Sequence, residues 1–206
     1  MSTQPACAAA KEEMGETLEF CTELPASVDA SKIFGRIWDA FGKEPYLLRP
    51  PPGELQASFA QGLAILVMLG SEPVGYARLI RLTGPDSKSG EWYEIGSVWV
   101  SPLHRHHKLG TRMHERLKLV HKGKNIFATS TNPLYVALVE KLGFVKIPRM
   151  SLPPDVWMES CICPAKKTGA ENASGCRLAF GESQQSAKEP CFFMVEGDTA
   201  RRWELA

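Results

Sequence analysis

What this 206-residue sequence lacks narrows its reading before any motif is considered. No apolar run approaches the roughly 18 residues of a membrane-spanning helix, so no membrane partner is expected. Net charge is only +1, which leaves no broad basic field of the kind that binds nucleic acid. Residues 1–13 lack the charged segment and apolar core of a secretory signal, and Glu12 and Glu13 argue against a transit peptide. The expected compartment is cytoplasmic, where the 6 cysteines are expected to be mostly reduced thiols. There is no internal repeat. The length suits one domain with at most an appendage, and a 44% hydrophobic content is ordinary for a globular chain.

What is present is concentrated in residues 98–111, V-W-V-S-P-L-H-R-H-H-K-L-G-T. Val98, Trp99 and Val100 end an apolar and β-branched run that begins near Trp92, so residues 92–100 read as a buried strand. Pro102 stops it. Leu109, Met113, Leu117 and Val120 then recur at helical spacing. The turn between strand and helix delivers Arg105, His106, His107 and Lys108 to a helix N-terminus. Free N–H groups and the positive end of the helix dipole make such a place suited to an anion. The turn reads either as a phosphate cradle or as a solvated basic turn.

Residues 1–16 read as a loose tail and Leu18 to Cys21 as a first strand. Ser27 or Asp29 can cap a helix with Ile33, Ile37 and Phe41 on its apolar face and Gly42 at its end. After three prolines, residues 54–61 suit a short helix. Residues 63–69 and 74–82 suit strands, with a hairpin loop at 84–90 before the 92–100 strand. Gly96 inside that strand suggests a bulge or a packing glycine. Residues 125–130 follow as a strand. Asn132 and Pro133 then start a helix whose stripe is Leu134, Leu138 and Leu142, and Gly143 stops it. Residues 144–147 make a further strand. The order predicts an α/β fold with an antiparallel first half.

Arg105-x-x-Lys108-x-Gly110 resembles the cofactor motif Arg/Gln-x-x-Gly-x-Gly/Ala of the GCN5-related N-acetyltransferase (GNAT) superfamily, with Lys108 in place of the first glycine. The Asn132 to Phe144 run, ending in L-G-F, resembles the following strand-to-helix segment of that family. The resemblance covers roughly residues 18–148. It implies a six- to seven-stranded mixed, mostly antiparallel sheet flanked by helices, with the acetyltransferase domain at 17–150 and a cysteine-containing segment at 151–206. It also implies acetyl-CoA as cosubstrate and an unidentified primary amine as acceptor. By resemblance the cofactor lies on Val98, Trp99, Val100, Arg105, His106, His107, Lys108, Leu109, Gly110, Thr111 and Asn132, although Asn132 also reads as a plain helix cap. Lys108 carries a Cβ that disfavours any positive φ the family glycine would have supplied.

Acetyl transfer requires the amine to lose a proton, and a free amine of pKa ~10.4 is mostly protonated at neutral pH. Glu94, in the 92–100 strand, is the candidate base. The alternative is a solvent-facing carboxylate paired with Arg78 or Arg81. A backbone N–H near Val98 could meet the developing oxyanion. Where many family members carry a tyrosine as general acid, this chain has Val139. Tyr135 lies one helical turn earlier on the same side, as a shifted candidate or as packing. His104, His106 and His107 are discounted as a metal site, because Arg105 and Lys108 repel a cation and no carboxylate is adjacent. Trp38, Tyr46, Trp92, Tyr93 and Trp157 are candidates to wall a pocket.

Beyond residue 150 the composition turns polar, and Cys161, Cys163, Cys176 and Cys191 flank a long loop. Four thiols could close a structural zinc site, although the spacing is not a standard one. Unpaired thiols or one disulfide are the alternatives, and Cys7 and Cys21 read as bystanders. Residues 192–195 suit a last strand returning beside the 144–147 strand. A catalytically weak CoA- or zinc-binding interaction protein stands as the alternative to an enzyme. Metal analysis of the purified chain tests the zinc reading: a filled site would carry one equivalent, and less than about half an equivalent counts against it.

Overall fold

The computed structural model describes residues 7–13, 16–44, 47, 49–130, 132–148, 151–160 and 192–205. The fold is a mixed sheet flanked by helices, and the described residues supply eight strands. The chain divides into two compact units, residues 1–79 with 96–121, and residues 80–95 with 122–206.

In the first unit the strands run β1 (Cys7–Glu13), β2 (Glu16–Cys21), β3 (Ala64–Leu69) and the first part of β4 (Glu72–Thr83), each antiparallel to the next. The expected loose N-terminal tail is therefore corrected: residues 7–13 form a strand. Its alanines and mixed polar residues carry little period-two signal, so only pairing with β2 reveals it. A second correction concerns Cys21, which is disulfide-bonded rather than a bystander thiol. The residue in register opposite it is Cys7.

Helix α1 (Ala30–Phe41) starts where Asp29 accepts hydrogen bonds from Ser31 N at 3.1 Å and Lys32 N at 3.4 Å, and stops at Gly42. Its buried face is Ile33, Phe34, Ile37 and Phe41. These pack with Leu55 and Phe59 of α2 (Glu54–Ala60) and with Leu66, Met68, Tyr76 and Trp99. Each such side chain stabilises the fold by about 1.5–3 kcal/mol. Helix α3 (Leu109–Val120) packs in the same unit through Leu109, Met113 and Leu117. A Cβ added to Gly75 of β4 would meet Met113 Sδ at 3.3 Å and Val67 Cβ at 3.2 Å, so this glycine is what lets helix and sheet approach.

The α3 face departs from its predicted stripe. Val120 is 49% exposed, and fully buried His114 takes a core position, with Nδ1 2.8 Å from the Gly110 carbonyl. Sequence spacing alone cannot distinguish a histidine used as a core residue from a surface one.

In the second unit β5 (Trp92–Val100) contributes its first part. The order continues β6 (Asn125–Ser130), β8 (Phe192–Glu196) and β7 (Phe144–Ile147). The β5–β6 ladder is parallel and joins Trp92 to Asn125, Tyr93 to Ile126 and Glu94 to Phe127, where it stops. β8 is antiparallel to both β6 and β7. The late segment is thus integral to the sheet: Trp92, Phe127, Ile147, Leu152, Val156, Phe193, Val195 and Ala200 share one core cluster. Glu196 caps α6 (Gly197–Arg202) by accepting from Asp198 N and Thr199 N at 2.9 and 3.0 Å. Ile126 N donates to the buried Thr199 hydroxyl at 3.1 Å.

Asp155 of α5 (Pro154–Ser160) accepts from Ser87 and, at 2.6 Å, from Ser89, fastening the 84–90 loop. α4 (Pro133–Lys141) buries Val136 and Val139, whereas Leu134 is 80% exposed, against the expected leucine stripe. The Asn132 cap and Pro133 fix where this helix begins, and that phase turns the valines inward. No helix among the described residues is long and apolar enough to cross a membrane.

Burial of His114 pushes its pKa down to about 4; its contact with the Gly110 carbonyl works the other way, and nearby Lys118 adds to the lowering. The unfolded chain binds this proton more readily, with a pKa near ~6.5. The stabilisation is therefore complete above that value and is lost as pH falls toward 4. Comparing denaturant unfolding at pH 7 and pH 4.5, His114→Gln should lose less stability than the wild type, by up to roughly 3 kcal/mol. Parallel losses in the two proteins would refute this.

Candidate functional site

Each unit holds one group of predicted site residues. In the first unit, β5 ends at Val100 and Ser101 N donates to the Val74 carbonyl at 2.9 Å. A 3₁₀ turn, Pro102–His104, follows. Arg105 to Lys108 then cross exposed toward Leu109, which is buried at 2% exposure and anchors the first turn of α3. His106 and Lys108 both have positive φ, 71° and 59°. Lys108 thus adopts the left-handed geometry that its Cβ disfavours, at a cost of about 1–2 kcal/mol. It is also the N-cap of α3, and its side chain makes no capping hydrogen bond among the described residues. Gly110 and Thr111, in the first turn of α3, are partly exposed.

Arg105 has a more specific position than the sequence implied. Its Nε donates to the Val100 carbonyl at 3.3 Å, and its guanidinium forms an ion pair with Glu44. Its side chain ties the turn back to the end of β5 and to the segment after α1. Lys108, His106 and His107 are the exposed cationic or titratable groups around it. His104 lies in the 3₁₀ turn with a buried Nδ1 that has no hydrogen-bond partner among the described residues.

Upstream in β5, Ser97 also carries a positive φ, 52°. Val98 and Val100 are half-buried and Trp99 is buried with the α1–α2 cluster, so the two valines and the tryptophan alternate across the strand.

In the second unit, Glu94 occupies the last rung of the β5–β6 ladder, opposite Phe127. Thr129, two residues along β6 and on the same face, donates its hydroxyl to Glu94 Oε1. Sequence reasoning missed Thr129; only the register brings it to Glu94. Tyr135 of α4 sits close enough to Glu94 that the carboxylate charge acts on its phenol. Burial first, and that charge second, hold the phenol well above its ordinary range. Tyr135 is therefore a neutral hydroxyl throughout the physiological pH range. Val139, at the family's tyrosine position, is fully buried. Arg78 and Arg81, the partners considered for Glu94, pair with Glu54 and Glu91. Asn132 accepts from Leu134 N at 3.0 Å and is the cap of α4.

Of the aromatic residues considered as pocket walls, Trp92 and Tyr93 are buried in the second unit. Trp38 borders a cavity of about 240 Å³ between α1 and α2, with Phe34, Pro52, Leu55 and Gln56. Tyr46, the Trp157 side chain, and the zinc candidates Cys161, Cys163, Cys176 and Cys191 lie outside the described residues. Among the described residues no group of three or more His, Cys, Asp or Glu could hold a metal ion.

Residues 32–144 match the acetyltransferase (GNAT) family, and the chain belongs to it. No curated protein matches the sequence. Among solved structures, the fold is similar to N-acetylglutamate synthase from Neisseria gonorrhoeae, complexed with coenzyme A and N-acetyl-glutamate. There the TM-score is 0.54 at 17% identity, over 91% of this chain but only 36% of that protein. Rv2747 from Mycobacterium tuberculosis, in complex with CoA, has TM-score 0.54 at 18% identity, covering 82% of this chain and 95% of its own. Arabidopsis thaliana NAA60, with a bisubstrate analogue, has TM-score 0.51 at 12% identity, over 64% and 86%. At these identities the likeness is one of fold.

The strain at Lys108 is directly measurable. Lys108→Gly removes the Cβ from a left-handed position and should stabilise the fold by up to about 1 kcal/mol in denaturant unfolding. Lys108→Ala retains the Cβ and should give no gain. Equal effects of the two changes would show that the left-handed geometry is not what costs energy there.

Proposed function

We propose that this protein transfers an acetyl group from acetyl-CoA to a primary amine by direct attack in a ternary complex. The observation that carries the reading is the α3 N-terminus behind a cationic turn held in left-handed geometry. That arrangement suits the diphosphate of coenzyme A, with the N–H groups of Leu109, Gly110 and Thr111 as donors and Lys108, His106 and His107 as neighbouring charge. Arg105 contributes by bracing the turn. The backbone of Val98 and Val100, beyond the last β5–β6 pair among the described residues at Glu94, is the element to which the pantetheine amides would bond, as a peptide adds to a strand edge. Family membership and neighbours crystallised with coenzyme A support this reading.

Glu94 is the proposed base. The amine nitrogen attacks the thioester carbonyl carbon, its proton passes to the Glu94 carboxylate directly or through water, and the C–S bond breaks to release the thiolate. The Thr129 hydroxyl orients the carboxylate. The Tyr135 phenol, kept neutral, offers a hydrogen bond to the departing sulfur. The acceptor is read as a primary amine. A cytoplasmic setting is consistent with acetyl-CoA as cosubstrate, and the Cys21 disulfide is the feature that runs against it.

Calorimetry with acetyl-CoA and thiol release against an amine panel test the reading. Glu94→Gln should lower kcat by well over tenfold while changing coenzyme affinity less than twofold. No heat of binding at high micromolar protein would overturn the cofactor assignment, and a fully active Glu94→Gln would overturn the base.

A further inference from the structure

Arg78 is a charged residue of β4 that is 4% exposed and that the chemistry above leaves unused. Burying a guanidinium is costly unless its charge and donors are met. Three partners meet them in the first unit. Nη1 lies 2.7 Å from Glu54 Oε1 and 3.1 Å from Ser58 Oγ, both on α2, and Nε donates to Ser97 Oγ at 3.0 Å. Ser97 is the strand residue with φ 52°. A left-handed serine inside a strand is held there by its surroundings or not at all. Two anchors are visible: Trp99, buried two residues on, and the Arg78 hydrogen bond to the Ser97 side chain itself.

We propose that Arg78 is a positioning residue for the cofactor, locking the kink of β5 at Ser97 so that the backbone of Val98 to Val100 is presented in the geometry that coenzyme A requires. The inference rests on the acetyl-CoA reading above. It also gives α2 a purpose. Through Glu54 and Ser58, the helix supplies the countercharge and the second hydrogen bond that let a guanidinium sit beneath the kink. Without Arg78, Ser97 gains by returning to an extended conformation, and the two residues that follow lose their aim.

Glycine separates this role from ordinary structural support, because it adopts positive φ without a tether. Arg78→Met removes the buried charge along with its donors, leaving Glu54, 40% exposed, to water. In the full-length protein, Arg78→Met is expected to weaken coenzyme A binding fivefold or more by calorimetry. In a Ser97→Gly background the same substitution should change affinity less than twofold. Ser97→Ala, which keeps the Arg78–Glu54 pair but removes the tethered hydroxyl, should also weaken binding severalfold with little change in thermal unfolding. If Arg78→Met weakens binding equally in both backgrounds, Arg78 is structural support only and the proposal fails. It fails too if a folded Ser97→Ala binds like the wild type, which decides the matter even should Arg78→Met not fold. Wild-type protein that binds no coenzyme A would bring down the acetyl-CoA reading itself, a result distinct from either.

Discussion

Side chains held at positive φ are the constraint on which this structure turns. Among the described residues four non-glycine positions have it, and three of them, Ser97, His106 and Lys108, fall within twelve residues running from β5 to α3. Each costs about 1–2 kcal/mol relative to an ordinary backbone conformation. The chain offsets this by planting a core residue within two positions of each strained stretch. Trp99 follows Ser97 and Leu109 follows Lys108, at 6% and 2% exposure. Burial of a large apolar side chain is worth about 1.5–3 kcal/mol, enough to hold the strain in place. Hydrogen bonds do the finer fixing: Arg78 on Ser97, and Arg105 on the Val100 carbonyl. The result is a strand end and a helix start whose polar backbone is preorganised rather than adaptable.

That arrangement also explains how far the sequence could be read. The helices and most strands follow from periodicity and caps, because Asp29, Gly42, Asn132 and Gly143 carry local signals that tertiary packing did not override. The basic turn was legible because charge, Pro102 and helical spacing coincide there. What was not legible depends on partners distant in sequence. β1 becomes a strand only against β2, Thr129 reaches Glu94 only through the parallel register, and His114 becomes a core residue only once α3 has a face to pack. Lys108 is the instructive case. Intrinsic preference argued against positive φ for a lysine, and that preference was outweighed by the anchoring of Leu109.

Ion pairs divide similarly between tethers and ornaments. Arg36–Glu72 and Lys32–Asp29 are largely exposed and contribute little. Arg105–Glu44 has a carboxylate only 20% exposed and joins two segments 61 residues apart. Its contribution lies in restricting the turn more than in raw stability. A turn already restricted loses less conformational entropy when an anion binds, so an arginine paired with Glu44 can still raise affinity without touching phosphate.

The position of the phenol bears on how the thioester would be cleaved. Val139 is fully buried, so a tyrosine there would bring its ring into a packed site, whereas Tyr135, one turn earlier, keeps part of its surface while its hydroxyl feels Glu94. With the phenol held above its ordinary range, complete proton transfer to a thiolate of pKa ~8.5 is uphill. A hydrogen bond to the sulfur is not, and it grows stronger as negative charge develops there. Under the proposed reaction Tyr135 therefore acts by stabilising charge rather than by surrendering its proton. The carboxylate that would take the amine proton also raises the phenol: while Glu94 is ionised the phenol is harder to ionise, and with Glu94 protonated that charge would be gone. The phenol thus becomes a better donor at the stage of the reaction when the sulfur leaves.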